Sequence, residues 1–266
     1  MQKKNKRFNI YGSWACILGA AEGLGASFAK KMAERGFHLI LVDIQADLLK
    51  EVSETLQNNY KIDTIELVAD LNQSECIDPV LNKIKKHSCR FIIYNAAYGP
   101  VKSFLSNTQE ELDQYLNVNI RTTLHLVRSF IGLYPDQQIG ILLLSSLAGF
   151  RGTAFVIPYA ATKAFLWNFA EGIYYEFKHQ PVDISVCVAG ATATPNFLST
   201  KPKKTLFAPR PMDPDIVAEE SLDLFGKKLF IVPGTANKIS HFILNRILPR
   251  KWASSILNNT MKKMYV

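Results

Sequence analysis

The feature that most constrains this chain is an alternation: short apolar runs of strand length recur along it, each followed by a longer stretch in which apolar residues return at helical spacing. Strands are expected at residues 14–18, 38–42, 64–68, 91–94, 139–144, 184–188 and 228–232, with helices over 24–35, 48–58, 74–87, 110–133, 159–177 and 215–225. Repeated βαβ units of this kind pack as a parallel sheet covered on both faces. The expected architecture is α/β, a doubly wound seven-stranded parallel sheet in a single domain. No repeat, linker or low-complexity tract breaks the alternation before about Pro233, so the domain is drawn as 1–233 with a C-terminal extension over 234–266.

Composition narrows the class further. With 266 residues, 48% of them hydrophobic and 20% charged, the chain can bury a full core. No run approaches the roughly 18–20 apolar residues of a membrane span. The N-terminus is basic (Lys3, Lys4, Lys6, Arg7), but the apolar stretch after it, 13–21, runs into a glycine turn and reads as a first strand, not a signal peptide. Cys16, Cys76, Cys89 and Cys187 lack metal-ligand spacing, and the histidines are equally scattered. Reduced thiols, a cytoplasmic protein and no metal are expected.

The extension has a character of its own. From Lys227 onward every charged side chain is basic (Lys227, Lys228, Lys238, Arg246, Arg250, Lys251, Lys262, Lys263), and these eight equal the whole formal net charge of +8. Ile239, Phe242, Ile243, Ile247 and Leu248 recur at helical spacing, Pro249 interrupts, and Trp252, Ile256, Leu257 and Met261 continue the apolar set. This basic amphipathic tail fits a helix docked on the chain's own surface or on a second subunit, peripheral contact with an anionic membrane through 235–266, or capture of a lipid-like substrate. With no stacking platform or binding motif beside the charge, no nucleic-acid partner is expected.

Two constellations carry chemistry. After the first strand, Gly19-Ala20-Ala21-Glu22-Gly23-Leu24-Gly25 opens a helix, an arrangement in which the backbone turns tightly and free N–H groups at the helix start face a pyrophosphate. Asp43, at the end of the second strand, can accept both hydroxyls of an adenosine ribose, or can serve as an ordinary cap for the helix that follows. Asp43 and Glu22 would repel a 2′-phosphate and Ile44 offers no cation, so NAD is expected over NADP. The second constellation is Tyr159-Ala160-Ala161-Thr162-Lys163, with Ser146 thirteen residues before the tyrosine. Four apart on a helix, Tyr159 and Lys163 share a face, where an ammonium would lower the phenol pKa. Ser146 ends a strand at the sheet's carboxyl edge and can hydrogen-bond a substrate oxygen.

In order and spacing these features resemble the short-chain dehydrogenase/reductase family over about 11–232. The resemblance implies a Rossmann-type fold and hydride transfer between NAD(P) and an alcohol or ketone. It implies catalytic roles for Asn119, Ser146, Tyr159 and Lys163, with Asn119 holding a relay water and Lys163 also binding ribose. It places the cofactor against Gly19, Glu22, Gly23, Leu24, Gly25, Asp43, Asp70, Leu71, Asn95, Ala96, Tyr159, Lys163, Gly190, Thr192 and Thr194. A homodimer or tetramer through 110–133 and 159–177 is implied as well. Leu18, Ala97 and Ala189 stand where the family carries threonine, glycine and proline. The opening Tyr11-Gly12-Ser13-Trp14-Ala15 is similar to the branch of hydroxysteroid dehydrogenases and long-chain 3-oxoacyl-CoA reductases. The segment 195–211 is expected to form a lid, whose Phe197, Leu198, Leu206 and Phe207 either face a small apolar alcohol or ketone substrate or pack the lid onto the body. The complete serine, tyrosine and lysine set favours turnover over a cofactor-binding scaffold.

Overall fold

In the computed structural model, which describes residues 7–203 and 209–265, the seven expected strands form one all-parallel sheet. The strands are β1 (Trp14–Leu18), β2 (His38–Asp43), β3 (Thr64–Val68), β4 (Phe91–Tyr94), β5 (Ile139–Ser146), β6 (Val182–Ala189) and β7 (Phe230–Ile231). Their order is β3-β2-β1-β4-β5-β6-β7, so the chain reverses its direction of travel across the sheet between β1 and β4. In open α/β sheets ligands bind in the crevice outside the carboxyl ends of the strands at such a reversal.

Successive strand residues feed opposite layers. Ile17, Leu39, Leu41 and Ile93 join one core with Phe28 and Met32 of α1 (Gly23–Glu34), Leu49 and Leu56 of α2 (Ala46–Tyr60), and residues of a later helix, Val217 and Leu222. Cys16, Leu18, Ile40, Val42, Ile92 and Tyr94 join the other. There they meet Val80 and Ile84 of α3 (Ile77–Lys86) and a helical layer built from residues beyond 109. With both faces covered, the strands carry uninterrupted apolar runs. The four cysteines are buried and unpaired.

Three elements depart from the sequence expectation. The helix expected over 110–133 is divided into α4 (Gln109–Leu116) and α5 (Thr122–Leu133) by a π-helical turn, Asn117–Arg121. Asn119 sits inside that turn, and its side chain is bonded to the backbone of Tyr98, far away in sequence. The helix expected over 74–87 opens as a 3-10 turn, Ser74–Cys76, before α3. The strand expected over 228–232 pairs only at Phe230 and Ile231, against Val186 and Cys187 of β6.

The remaining helices are α6 (Ile157–Glu176), α7 (Pro195–Ser199), α8 (Pro214–Leu224), α9 (Thr235–Phe242) and α10 (Arg250–Tyr265), with a π-helical turn, Ile243–Ile247, between the last two. The helix of Val217 and Leu222 above is α8, and α5 and α6 complete the second layer through Leu126, Phe130, Leu166 and Ala170. The extension lies over the mouth of the sheet's carboxyl edge. Asn258 accepts from Ala154 N (2.7 Å) and donates to Gly152 O (3.0 Å), Arg151 donates to Leu244 O (3.2 Å), and Lys203 N donates to Met264 O (3.0 Å). Among the described residues no helix is long and apolar enough to cross a membrane. Leu206 and Phe207 of the expected lid, and Lys3, Lys4 and Lys6, lie outside the described residues.

Candidate active site

The carboxyl ends of the strands open into a cleft of about 1160 Å³. One end is framed by the glycine turn. Gly19 takes φ +79°, and a Cβ there would meet the backbone of Ala96 at 2.7 Å. Gly25 stands behind the cleft wall, where a Cβ would collide with the Gly19 carbonyl, so only glycine lets α1 approach the turn this closely. The same carbonyl accepts from Asn95 Nδ2 at 2.7 Å, which ties the end of β4 to the turn. Leu18, in the position of the family threonine, is buried, and its carbonyl accepts from both Asn95 N (3.0 Å) and Ala96 N (2.9 Å). Glu22 makes no side-chain cap, so the first N–H groups of α1 meet the cleft with their partial positive charge uncovered.

Asp43 is not the cap of α2, whose N-cap is Gln45 and which receives no side-chain cap hydrogen bond. Its carboxylate accepts from Ala21 N (2.9 Å) in the glycine turn and from Gln45 N (3.1 Å) ahead of α2, and it also lines the cleft. Asp70 accepts from Asn72 N at 2.9 Å, and Leu71 is buried beside it; both line the same wall. An uncapped helix start, a glycine cradle and a buried acid at the end of β2 suit a dinucleotide.

At the centre lie the residues of β5 and α6. Ser146 ends β5, and its Oγ accepts from Ala148 N at 3.2 Å. Tyr159 is in the first turn of α6, where Pro158 is tolerated because its missing N–H has no helical partner. Lys163 follows one turn on, 3% exposed, with Nζ 5.5 Å from the centre of the Tyr159 ring and donating to Leu144 O at 2.7 Å. Burial pushes the Tyr159 phenol above its usual value, and the Ser146 hydroxyl, as hydrogen-bond partner, acts the other way. Burial lowers the Lys163 ammonium to about 8. The expected lowering of the Tyr159 pKa by Lys163 is therefore corrected: both groups sit in a wall that disfavours their charged forms, and the ammonium is turned to the Leu144 carbonyl.

Asn119 lies behind the cleft wall. It is 1% exposed and outside the cleft lining, with Nδ2 donating to Tyr98 O (2.8 Å) and Thr162 Oγ1 (2.9 Å) and Oδ1 accepting from Tyr98 N (2.7 Å). Both side-chain donors are spent inside the protein, so the side chain acts here as a staple between Tyr98 and Thr162. Thr162 passes the constraint on by donating to Tyr159 O at 2.9 Å.

On the β6 side, Gly190, Thr192 and Thr194 line the cleft. Thr192 Oγ1 donates to Gly190 O (3.1 Å), and Thr194 caps α7 by accepting from Phe197 N (3.2 Å). Gly23, Leu24, Asn95 and Ala96 also line the cleft, with Gly23 packed against Thr194, where a Cβ would meet the threonine side chain at 2.9 Å; of the expected site residues only Gly25 and Asn119 stay behind the lining.

Residues 13–205 match the family model described as short chain dehydrogenase. The chain belongs to this family. Among curated short-chain dehydrogenase relatives, the 7beta-hydroxysteroid dehydrogenase of Clostridium sardiniense is 29% identical over 86% of this chain and 88% of its own length. The human inactive hydroxysteroid dehydrogenase-like protein 1 is 25% identical over 95% of this chain and 78% of its own. A solved structure concerned with 7beta-hydroxysteroid dehydrogenase stereoselectivity superposes with TM-score 0.84 at 23% identity, covering 94% of this chain and 98% of that one. A short-chain dehydrogenase from Sphingobium yanoikuyae in complex with NADPH superposes with TM-score 0.76 at 22% identity, covering 84% and 88%. These two structural likenesses speak to the fold.

Sequence reasoning missed one part of the short-chain dehydrogenase site and left another among several alternatives. Gly99 packs directly on Tyr159, where a Cβ would meet ring carbon Cδ2 at 2.5 Å. The inner face of the tail, including Leu244, Leu257 and Met261, supplies apolar lining to the same cleft as Ser146. Amphipathic spacing was the available signal for the second; the first had none.

Proposed function

We propose that the chain is an oxidoreductase that transfers a hydride between NAD(H) and a secondary alcohol or ketone on an apolar, steroid- or acyl-like substrate. The observation that carries this reading is the convergence of Ser146, Tyr159 and Lys163 on one cleft, with a dinucleotide cradle at one end and an apolar wall at the other. A nicotinamide dinucleotide bound there supplies the two-electron exchange. Ser146 holds the substrate oxygen, and Tyr159 gives or takes its proton. A phenol whose pKa is raised by burial retains its proton and is ready to donate it to a carbonyl oxygen. Lys163, held by the Leu144 carbonyl at 2.7 Å, has further ammonium hydrogens to offer a ribose. Asn119, through Thr162, fixes the turn that bears Tyr159.

Asp43 and Glu22 at the cradle, with Ile44 60% exposed and uncharged beside them, support NAD over NADP. The hydroxysteroid dehydrogenases among the relatives and the apolar wall support a steroid-like substrate. Exposed Leu116, Leu124, Tyr174 and Tyr175 on α4 to α6 support a homo-oligomer through these helices. The human relative is named inactive, which keeps a scaffold without turnover as the competing reading; the complete Ser146, Tyr159 and Lys163 set weighs against it.

Calorimetric titration with NAD and NADP, joined to turnover of a hydroxysteroid, tests both halves. The wild type is expected to bind NAD more tightly, and Ile44→Arg to raise NADP affinity about tenfold through a new phosphate contact. Tyr159→Phe should bind NAD unchanged and lose about 10²–10⁴ in kcat. Tighter NADP binding by the wild type overturns the cofactor preference, undiminished turnover by Tyr159→Phe overturns the proton donor, and binding without turnover in the wild type establishes the scaffold.

A further inference from the structure

The tail has two faces, and the cleft accounts for only one. On α9 and the turn after it, Ile239, Phe242, Arg246 and Ile247 follow helical spacing on the side away from the cleft. Ile239 is 54% exposed, Phe242 57% and Ile247 61%. On α10 the outward side chain is Trp252, 64% exposed, with Lys251 beside it in sequence and the exposed Lys262 and Lys263 about three turns further along the same helix. Arg246, Arg250, Lys251, Lys262 and Lys263 form no ion pair among the described residues, and no acidic residue follows Asp223 to offer one within the tail. Lys238 alone of the cations on these helices is neutralised, by Glu220 at 3.2 Å.

We propose that this outer face docks on the surface of an anionic lipid bilayer. Aliphatic and aromatic side chains flanked by unpaired cations on helices that lie along the protein surface have the chemistry of an interfacial anchor: the apolar groups enter the acyl boundary, Trp252 sits at headgroup level, and the cations meet lipid phosphates. Charge decides against a second copy of the chain as the occupant, because two-fold pairing of this face would bring the cation clusters together without a counter-charge. The same helices line the cleft with their inner face, so docking sets the apolar wall directly above the bilayer. An apolar substrate then passes from lipid to cleft without crossing water. The docking itself does not rest on the proposed reaction, and its assay reads binding alone.

The test is sedimentation of the full chain with vesicles of phosphatidylcholine, and of phosphatidylcholine mixed with phosphatidylglycerol, alongside Phe242→Ser/Trp252→Ser and Lys262→Glu/Lys263→Glu. All four positions are exposed and outside the cleft, and thermal melting verifies the fold of each variant. Expected are binding to the anionic vesicles alone, release by salt, loss in the double serine variant, and a drop of about fivefold or more per cation removed. Failure of the wild type to sediment with anionic vesicles overturns the proposal. So does binding that both folded variants retain, or a dimer in light scattering that the serine variant dissociates, which would assign the face to a second copy.

Discussion

Replacing Lys163 with Met should stabilise the fold and abolish turnover, because the ammonium is a charge the protein holds out of water. Its Nζ is bonded to the Leu144 carbonyl at 2.7 Å, the side chain is 3% exposed, and burial lowers its pKa from 10.5 to about 8. At about 1.4 kcal/mol per pH unit, that gap costs about 3 kcal/mol of stability at neutral pH. Methionine fills a similar volume without charge, and the charge-assisted hydrogen bond lost at Leu144 takes back about 2 kcal/mol, leaving a net gain of about 1 kcal/mol near neutrality. The pH dependence separates this cause from ordinary repacking. Below about 8 both the folded and unfolded chains hold the proton, and the cost is present in full. Between about 8 and 10.5 the unfolded chain binds a proton that the folded chain has lost, so wild-type stability rises with pH. The advantage of Lys163→Met should therefore give way to a deficit, a change of about 2 kcal/mol between about pH 7 and about pH 9.5. Urea denaturation of both proteins at the two pH values, followed by tryptophan fluorescence, measures it. An advantage that is equal at both pH values, or a variant less stable than wild type near neutrality, refutes the reasoning.

Two further outcomes follow from contacts at the cleft. Gly99→Ala puts a Cβ 2.5 Å from the Tyr159 ring, so the phenol must move; kcat should fall about 10²-fold with NAD affinity unchanged, as read from turnover beside calorimetry. Asn258→Ala removes the bonds to Ala154 N and Gly152 O that hold α10 over the cleft, so KM for a bulky apolar ketone should rise about tenfold while kcat for a small ketone stays level in steady-state assays.

How much of this was legible depended on whether the cause was local. The strands could be placed because burial on both faces leaves apolar runs such as Ile139 to Leu144, and β7 was drawn too long because pairing at an edge depends on a neighbour that the run itself does not record. The division of the helix at Asn117–Arg121 had no local signal; what accompanies it is the bonding of Asn119 to Tyr98 across the fold, which the local run does not record. Spacing alone put Tyr159 and Lys163 on one face, but the charge balance between them is set by the protein packed around them. The tail's amphipathic pattern was visible, yet which face meets the cleft depended on the contacts of Asn258 and Leu244 with the loop at 151–154.

Asp43 shows why the difference matters for experiment. Read from sequence, its removal isolates ribose recognition. In the structure the same carboxylate holds Ala21 N at 2.9 Å, so Asp43→Ala would also release the glycine turn that cradles the pyrophosphate. Weakened NAD binding in that variant has two causes of the same sign. Ile44→Arg adds a cation at an exposed side chain and leaves both backbone bonds of Asp43 in place, so a gain in NADP affinity there has only the electrostatic explanation.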